Sequence, residues 1–176
     1  MSAVIDWFLI WWLRSGRYGW SRFRRRMCEG KYLSTTLPEI STLAEIEECL
    51  RKIAWTMDGP LHLYDSISYP ETVWARKKDD CDGFAVLASA FLQKWNPDSK
   101  PVLLTAIMRP IQHSHTVCVF SLPEEKLRVF DNASLHGEEY EAYKAILSRI
   151  SEHKGRLVCW DVRNPQTFEM IEFHKA

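Results

Sequence analysis

The stretch Lys77-Lys78-Asp79-Asp80-Cys81-Asp82-Gly83-Phe84-Ala85 runs directly into the apolar segment 86–95, and it decides the fold. Apolar residues three or four positions apart in this segment predict a helix that is packed along most of its length. One of the two aspartates before Cys81 is a good N-cap and Asn96-Pro97 is a good stop, so the helix begins almost at Cys81. A thiol at a helix N-terminus faces unsatisfied N–H groups and the positive end of the helix dipole. Both favour the thiolate.

Two predicted strands downstream carry a histidine and a carboxylate. The runs 115–120 and 127–131 are rich in β-branched and aromatic residues, and the turn-like segment 121–126 separates them, which predicts an antiparallel hairpin. Folding the hairpin about the middle of this turn pairs positions whose numbers sum to about 246 to 248. His115 and Asp131 therefore lie opposite one another or nearly so, on the same side of the sheet.

A helix-start cysteine, a strand histidine and a carboxylate on the next strand have the order and geometry of a Cys-His-Asp triad. In this interpretation Cys81 is the nucleophile, His115 the general base and Asp131 the group that orients the imidazole. Each residue alone also has a structural explanation: an unreactive buried thiol, a strand-end histidine or a turn-initiating aspartate. The combination of order, register and local motif favours the triad.

Three motifs in this order resemble the transglutaminase-like superfamily of papain-like thiol enzymes. They are Asp80-Cys81-Asp82-Gly83-Phe84-Ala85, His115-Thr116-Val117 and Val129-Phe130-Asp131-Asn132. The chain looks most similar to the small bacterial transglutaminase-like cysteine peptidases, over roughly residues 53–132. Two positions depart from that family's pattern: Asp79 stands where the family usually has glycine, and Gly83 where it often has an acidic residue.

The resemblance implies an α+β fold with a papain-like or transglutaminase-like core, in which the nucleophile helix packs on an antiparallel sheet. It implies hydrolysis or acyl transfer at an amide bond of a peptide or protein, through a thioester, as in a cysteine peptidase, amidase or transamidase. The related enzymes build a substrate wall in front of the nucleophile, and some use an aromatic side chain there to help hold the oxyanion. The candidates for that wall are Trp55, Tyr64 and Trp74. The alternative is a non-catalytic scaffold or binding domain with the same fold.

Four further polar residues are expected beside the triad: Asp80, Asp82, His113 and Asn132. The aspartate charges disfavour a thiolate, whereas the helix end and a contacting imidazolium favour it. Asn132 is expected to support the loop that carries Asp131. No metal or cofactor is predicted, because the histidines and Cys81 do not have the spacing of a zinc site and the aspartates lack the alternating oxygen ligands of a calcium loop.

The composition bounds the class of protein. The 176 residues are 46% hydrophobic and 26% charged, which is ordinary for a globular domain and excludes a disordered chain or a polytopic membrane protein. The five cysteines are odd in number and widely spaced, without a CxxC pair. This pattern predicts a reducing compartment, so we expect a cytoplasmic protein. The alternative that stays open is a cytoplasmic protein at the periphery of a membrane.

Residues 1–36 are predicted to form a basic, tryptophan-rich helical extension, and residues 37–176 the transglutaminase-like domain. Residues 1–31 hold seven basic and two acidic residues, a net charge of +5, and half of the eight tryptophans. Three explanations fit this segment. It is a first helix packed on the domain or on another subunit, an anchor in a membrane interface, or a basic arm that touches nucleic acid. Nucleic acid is the least favoured, since no recognition motif accompanies the charge.

The remaining segments give a coarse outline. The capping-box pattern 42–45 predicts a helix through about Trp55, and Tyr69-Pro70 a short second helix. The continuous apolar run 102–108 predicts a buried strand. A helix is expected from about 138 to 153 with Gly155 as its cap, then a strand at 157–162 and a short tail at 168–173.

Overall fold

The computed structural model describes residues 3–57 and 66–176. Its helices are α1 (Ala3–Trp11), α2 (Arg17–Cys28), α3 (Leu43–Leu50), α4 (Pro70–Arg76), α5 (Cys81–Trp95) and α6 (Tyr143–Lys154). Its strands are β1 (Ala54–Trp55), β2 (Lys78–Asp79), β3 (Val102–Arg109), β4 (His115–Phe120), β5 (Arg128–Asp131), β6 (Ser134–Leu135), β7 (Arg156–Arg163) and β8 (Met170–Lys175). A π-helical turn, Trp12–Gly16, joins α1 to α2.

The main sheet has six strands in the order β6-β5-β4-β3-β7-β8, and every neighbouring pair is antiparallel. The central strand β4 is buried at all six positions because helices cover both faces of the sheet. Cys118, Phe120 and Phe130 share a core cluster with α5, whereas residues of the opposite parity share a second cluster with α6. The α+β class and the packing of the Cys81 helix on an antiparallel sheet are therefore confirmed.

Helix α5 begins where the sequence predicts. Asp80 is its N-cap, with extended backbone, and its Oδ1 accepts the N–H of Asp82 at 3.2 Å. Asn96 is the C-cap. Eleven of the fifteen helix residues are buried, so tertiary contacts surround the helix on nearly all sides.

Helix α1, the π-helical turn and α2 form one continuous helical segment, residues 3–28, which we call the first helix, and it packs on the same side of the sheet as α5. Leu9 and Leu13 form a core cluster with Ile107, Ile111 and Cys159, and further along the helix Tyr18 joins the cluster around α5. The division of the chain into an extension, residues 1–36, and a domain, residues 37–176, stays a prediction. None of the described helices is both long and apolar enough to cross a membrane.

Two helices are shorter than the sequence predicts, because backbone pairing with a distant segment overrides the local helix propensity. Helix α3 ends at Leu50, since residues 54–55 pair in parallel with 78–79 as β1 and β2. Helix α6 starts at Tyr143, since Tyr140 exchanges two hydrogen bonds of 2.8 Å with Leu127. The tail forms the edge strand β8.

Gly155 caps α6 in a conformation that suits glycine. Its φ is +120°, and a Cβ at this position would lie 2.6 Å from the carbonyl oxygen of Arg109. We expect Gly155→Ala to lower the free energy of unfolding by about 1 to 3 kcal/mol, because it adds backbone strain and a steric clash. Urea unfolding measures the difference. The matched control is Gly137→Ala, where a Cβ meets nothing within 4 Å; equal losses for the two variants would contradict the prediction.

Candidate functional site

A cleft of about 460 Å³ brings the helix start and the strand start together. Cys81, the first residue of α5, and His115, the first residue of β4, both line it, as do Asp80 and Asn132. A second, smaller cavity is also lined by both Cys81 and His115. The predicted nucleophile and base therefore border the same cleft.

The predicted base and its orienting acid are in contact. Nε2 of His115 lies 2.7 Å from Oδ1 of Asp131. The register of β4 and β5 pairs Val119 with Val129, so the paired residue numbers sum to 248, which is inside the predicted range. In this register Asp131 is the diagonal neighbour of His115. His115 is 4% exposed and Asp131 26% exposed, so water competes little for this bond.

Several groups act on the carboxylate of Asp131. Burial raises its pKa, but the hydrogen bond and charge of His115, with the charges of His136 and Lys154, outweigh burial and hold the pKa below its ordinary value. Nδ2 of Asn132 donates to Oδ1 of Asp131 at 3.0 Å. Asp131 is therefore an anionic acceptor at neutral pH and can fix the orientation of the imidazole.

A buried cation lies behind the cleft. Arg17 is 3% exposed; its Nη1 is 3.0 Å from Oδ2 of Asp82, and its Nη2 is 3.3 Å from Oγ1 of Thr116. Asp82 follows Cys81 in the sequence, and Thr116 follows His115. One guanidinium thus links the neighbour of the predicted nucleophile to the neighbour of the predicted base.

The two departures from the family pattern meet in space. A Cβ at Gly83 would lie 2.3 Å from Cγ of Asp79. The side chain at position 79 thus fills the space that a side chain at position 83 would need. The absence of a side chain at position 83 therefore leaves the space that the side chain of Asp79 occupies.

Asp79, Asp80 and Asp82 are buried, and one oxygen of each lies within 4.8 Å of the others. Protein groups already bind these three carboxylates. Asp79 accepts the N–H of Asp80, Asp80 accepts the N–H of Asp82, and Asp82 pairs with Arg17. We assign no metal to the cluster.

The three aromatic candidates for the substrate wall lie in different places. Trp55 lines the cleft and is 54% exposed. Trp74 lies apart from the described lining; its ring packs edge-to-face on Phe91, with centroids 5.7 Å apart, which is a core contact. Tyr64 lies outside the described residues. His113 lines the cleft, and its Nδ1 donates to the carbonyl of Lys154 at 2.6 Å.

Sequence reasoning missed Arg17 and His136. Nε2 of His136 lies 3.9 Å from Oδ2 of Asp131, and burial lowers the pKa of this histidine. In the sequence nothing separates Arg17 from the other arginines of residues 1–31, and only its burial in the structure does so. Buried residues recur every fourth position along the first helix: Leu9, Leu13, Arg17, Ser21 and Arg25. A buried stripe that changes from apolar to polar marks a helix that carries hydrogen bonds into the core.

Comparison with known proteins adds a distant structural likeness. No protein-family model and no curated protein sequence matches the chain. Two solved structures of Legionella pneumophila LapG are similar in part, both with a TM-score of 0.45. The EGTA-treated form is 14% identical and matches 67% of this chain and 62% of that chain, and the other is 15% identical with 66% and 63% matched. The chain thus spans less than two thirds of the LapG structures, and its function has to be inferred from its own residues.

We expect Arg17→Met to cost about 3 to 5 kcal/mol in the free energy of unfolding, because it leaves the carboxylate of Asp82 buried without its cation. Adding Asp82→Asn should recover part of the loss, since it removes that charge. Arg22→Met changes an exposed arginine of the same helix and serves as the control, with an expected change within about 0.5 kcal/mol. Chemical denaturation of the four proteins decides the point; a loss for Arg17→Met no larger than for Arg22→Met would show that the buried pair is not a structural tie.

The contact between positions 79 and 83 predicts a rescue. Gly83→Ala should destabilise the chain by about 1 to 3 kcal/mol, because the new Cβ overlaps Asp79. Asp79→Gly in the same chain should restore most of this loss, since it clears the space. A double-mutant cycle in urea measures the coupling. Simply additive losses at the two positions would contradict the steric relation.

Proposed function

We propose that this chain is a thiol-dependent enzyme that hydrolyses an amide bond or transfers its acyl group. Cys81 is the nucleophile, His115 the general base and Asp131 the orienting acid. One observation carries the proposal. The 2.7 Å contact of His115 with Asp131 borders a cleft that is also lined by a cysteine at the N-terminus of a buried helix.

The contact with Asp131 assigns the two ring nitrogens. Since Nε2 of His115 donates to the carboxylate, Nδ1 is the nitrogen that can take the thiol proton of Cys81. The transfer leaves a thiolate and an imidazolium. The anionic carboxylate stabilises the imidazolium, and the positive end of the α5 dipole stabilises the thiolate.

The thiolate attacks the carbonyl carbon of the amide and forms a tetrahedral oxyanion, for which the N-terminal end of α5 is a favourable environment. Collapse of this species breaks the C–N bond. His115 donates its proton to the departing amine, and the acyl group remains on Cys81 as a thioester. Water then gives a carboxylic acid, or a second amine gives a new amide, and the thiol is regenerated in both cases.

The walls of the cleft suit a peptide or protein substrate. Trp55 and Met57 line it and expose about half of their surface, so they can bury apolar side chains of a substrate. His113 and Lys154 line it too and provide polar contacts. A cleft of this size and mixed lining accommodates a side chain and the amide beside it.

The other cysteines give an internal reference. Cys28 is exposed, whereas Cys49, Cys118 and Cys159 are buried. Burial raises the pKa of Cys118 far above the ordinary value, and burial with the nearby charge of Asp161 raises that of Cys159 to about 11. Cys28 is therefore the accessible reference thiol of this chain. The cytoplasmic location, which the free thiols fit, stays a prediction.

Alkylation by iodoacetamide at about pH 6, well below the ordinary thiol pKa, tests the proposal. We expect Cys81 to react at least roughly tenfold faster than Cys28, because only a paired thiolate is populated at this pH. His115→Ala should remove the difference, and Asp131→Asn should reduce it. Mass spectrometry of the tryptic peptides gives both rates in one sample.

Equal rates at Cys81 and Cys28, unchanged by His115→Ala, would overturn the proposal and leave a non-catalytic scaffold of the same fold. Given a reactive Cys81, a panel of peptides with and without a primary amine then separates hydrolysis from acyl transfer. Cys81→Ser is the blank for both products.

A further inference from the structure

The first helix presents a row of large apolar side chains to solvent. Its members are Trp7, Phe8, Trp11, Trp20, Phe23 and Met27, which are 42% to 67% exposed. We call this row the tryptophan face. Exposed apolar residues are ordinary when scattered, but six on one helix form a contiguous patch of the kind that marks an interaction surface. We propose that the tryptophan face docks this protein on a membrane surface that contains anionic lipids.

The π-helical turn puts these six side chains on one side of the helix. An α-helix rotates by about 100° per residue, and a π turn holds about one extra residue. Without the turn at Trp12–Gly16, positions 20, 23 and 27 would lie opposite positions 7 and 11. With the turn, all six fall within about a third of the circumference. The irregular turn thus extends the tryptophan face along both halves of the helix.

The opposite side of the same helix is fixed to the rest of the chain. Leu9 and Leu13 are buried in a core cluster, and Arg17 is buried behind the cleft. Arg25 donates to the carbonyl of Ile67 at 2.9 Å. The helix therefore cannot turn its apolar row inward, so the face is presented in a fixed orientation.

The charge around the face is positive. Arg22 and Arg26 are exposed on the same helix, and among the described residues the hydrogen-bond partner of Arg22 is a neutral group, the carbonyl of Thr167, at 3.4 Å. From Trp7 to Cys28 the sequence contains no acidic residue. Indole rings favour the membrane interface, and arginines beside them attract anionic headgroups.

A membrane surface fits this face better than a second copy of the chain. A symmetric contact through the face would bring the exposed arginines of two copies towards one another, and like charges oppose that contact. The helix extends from Ala3 to Cys28, about 40 Å at 1.5 Å per residue, with charged residues throughout its second half. It therefore lies on the surface and does not span the bilayer.

Co-sedimentation of the full chain with phosphatidylcholine vesicles, with and without phosphatidylglycerol, tests the proposal. We expect binding to the anionic vesicles alone, weakened by high salt. Arg22→Gln with Arg26→Gln should weaken this binding roughly tenfold or more, since each basic side chain contributes to the attraction. Trp11→Ser with Phe23→Ser should weaken it at least as much, because the apolar contact is lost. Urea unfolding checks that the variants fold.

The matched control is Met170→Ser with Ile171→Ser, which removes two apolar side chains, 50% and 56% exposed, from β8. It should bind like the unaltered chain. An absence of binding, equal binding to neutral vesicles or an equal loss in the control would overturn the proposal. A concentration-dependent dimer that Trp11→Ser with Phe23→Ser dissociates would overturn it too and assign the face to a second copy. Light scattering at several protein concentrations detects that dimer.

Discussion

The guanidinium of Arg17 lies between the helix that begins at Cys81 and the strand that begins at His115, and it is hydrogen-bonded to the next residue of each. A cation and a carboxylate held out of water are favourable only when both are present and well paired, so the loss of one leaves the other uncompensated. This condition makes the first helix part of the cleft's support. The geometry of a thiol and an imidazole far apart in sequence thus depends on a third segment, which is itself packed on the sheet through Leu9 and Leu13.

The site can form only at one end of the sheet. Alternation puts His115 on the same side of β4 as Val117 and Val119, which pack with α6, whereas α5 covers the other side. Cys81 at the start of α5 and His115 at the start of β4 can therefore share a cleft only where both elements begin. The N-cap at Asp80 and the strand boundary at His115 therefore place both residues at this end of the sheet, and moving the start of β4 by one residue would put a different side chain on this face.

Local signals in the sequence predicted much of this arrangement. Period-two alternation and a short turn predicted the contact of His115 with Asp131 to within one diagonal, and N-cap chemistry predicted the start of α5. The capping pattern at 42–45 is confirmed, since Thr42 accepts the N–H of Glu45 at 3.2 Å.

Local patterns could not predict contacts between distant segments. The parallel pairing of 54–55 with 78–79 shortens α3, and the edge strand β8 needs β7 as its partner. Arg17 pairs with Asp82, which is 65 positions away in the sequence. None of these partners is encoded within a few residues of the segment it changes.

The central claim is that the sulfur of Cys81 gives its proton to His115. The ultraviolet absorbance of the thiolate measures this directly, in a chain carrying Cys28→Ser to remove the exposed thiol. At about pH 6, where ordinary thiols are protonated, the account predicts a thiolate band that disappears in both Cys81→Ala and His115→Ala. Spectra that are identical with and without Cys81 up to about pH 8 would contradict it.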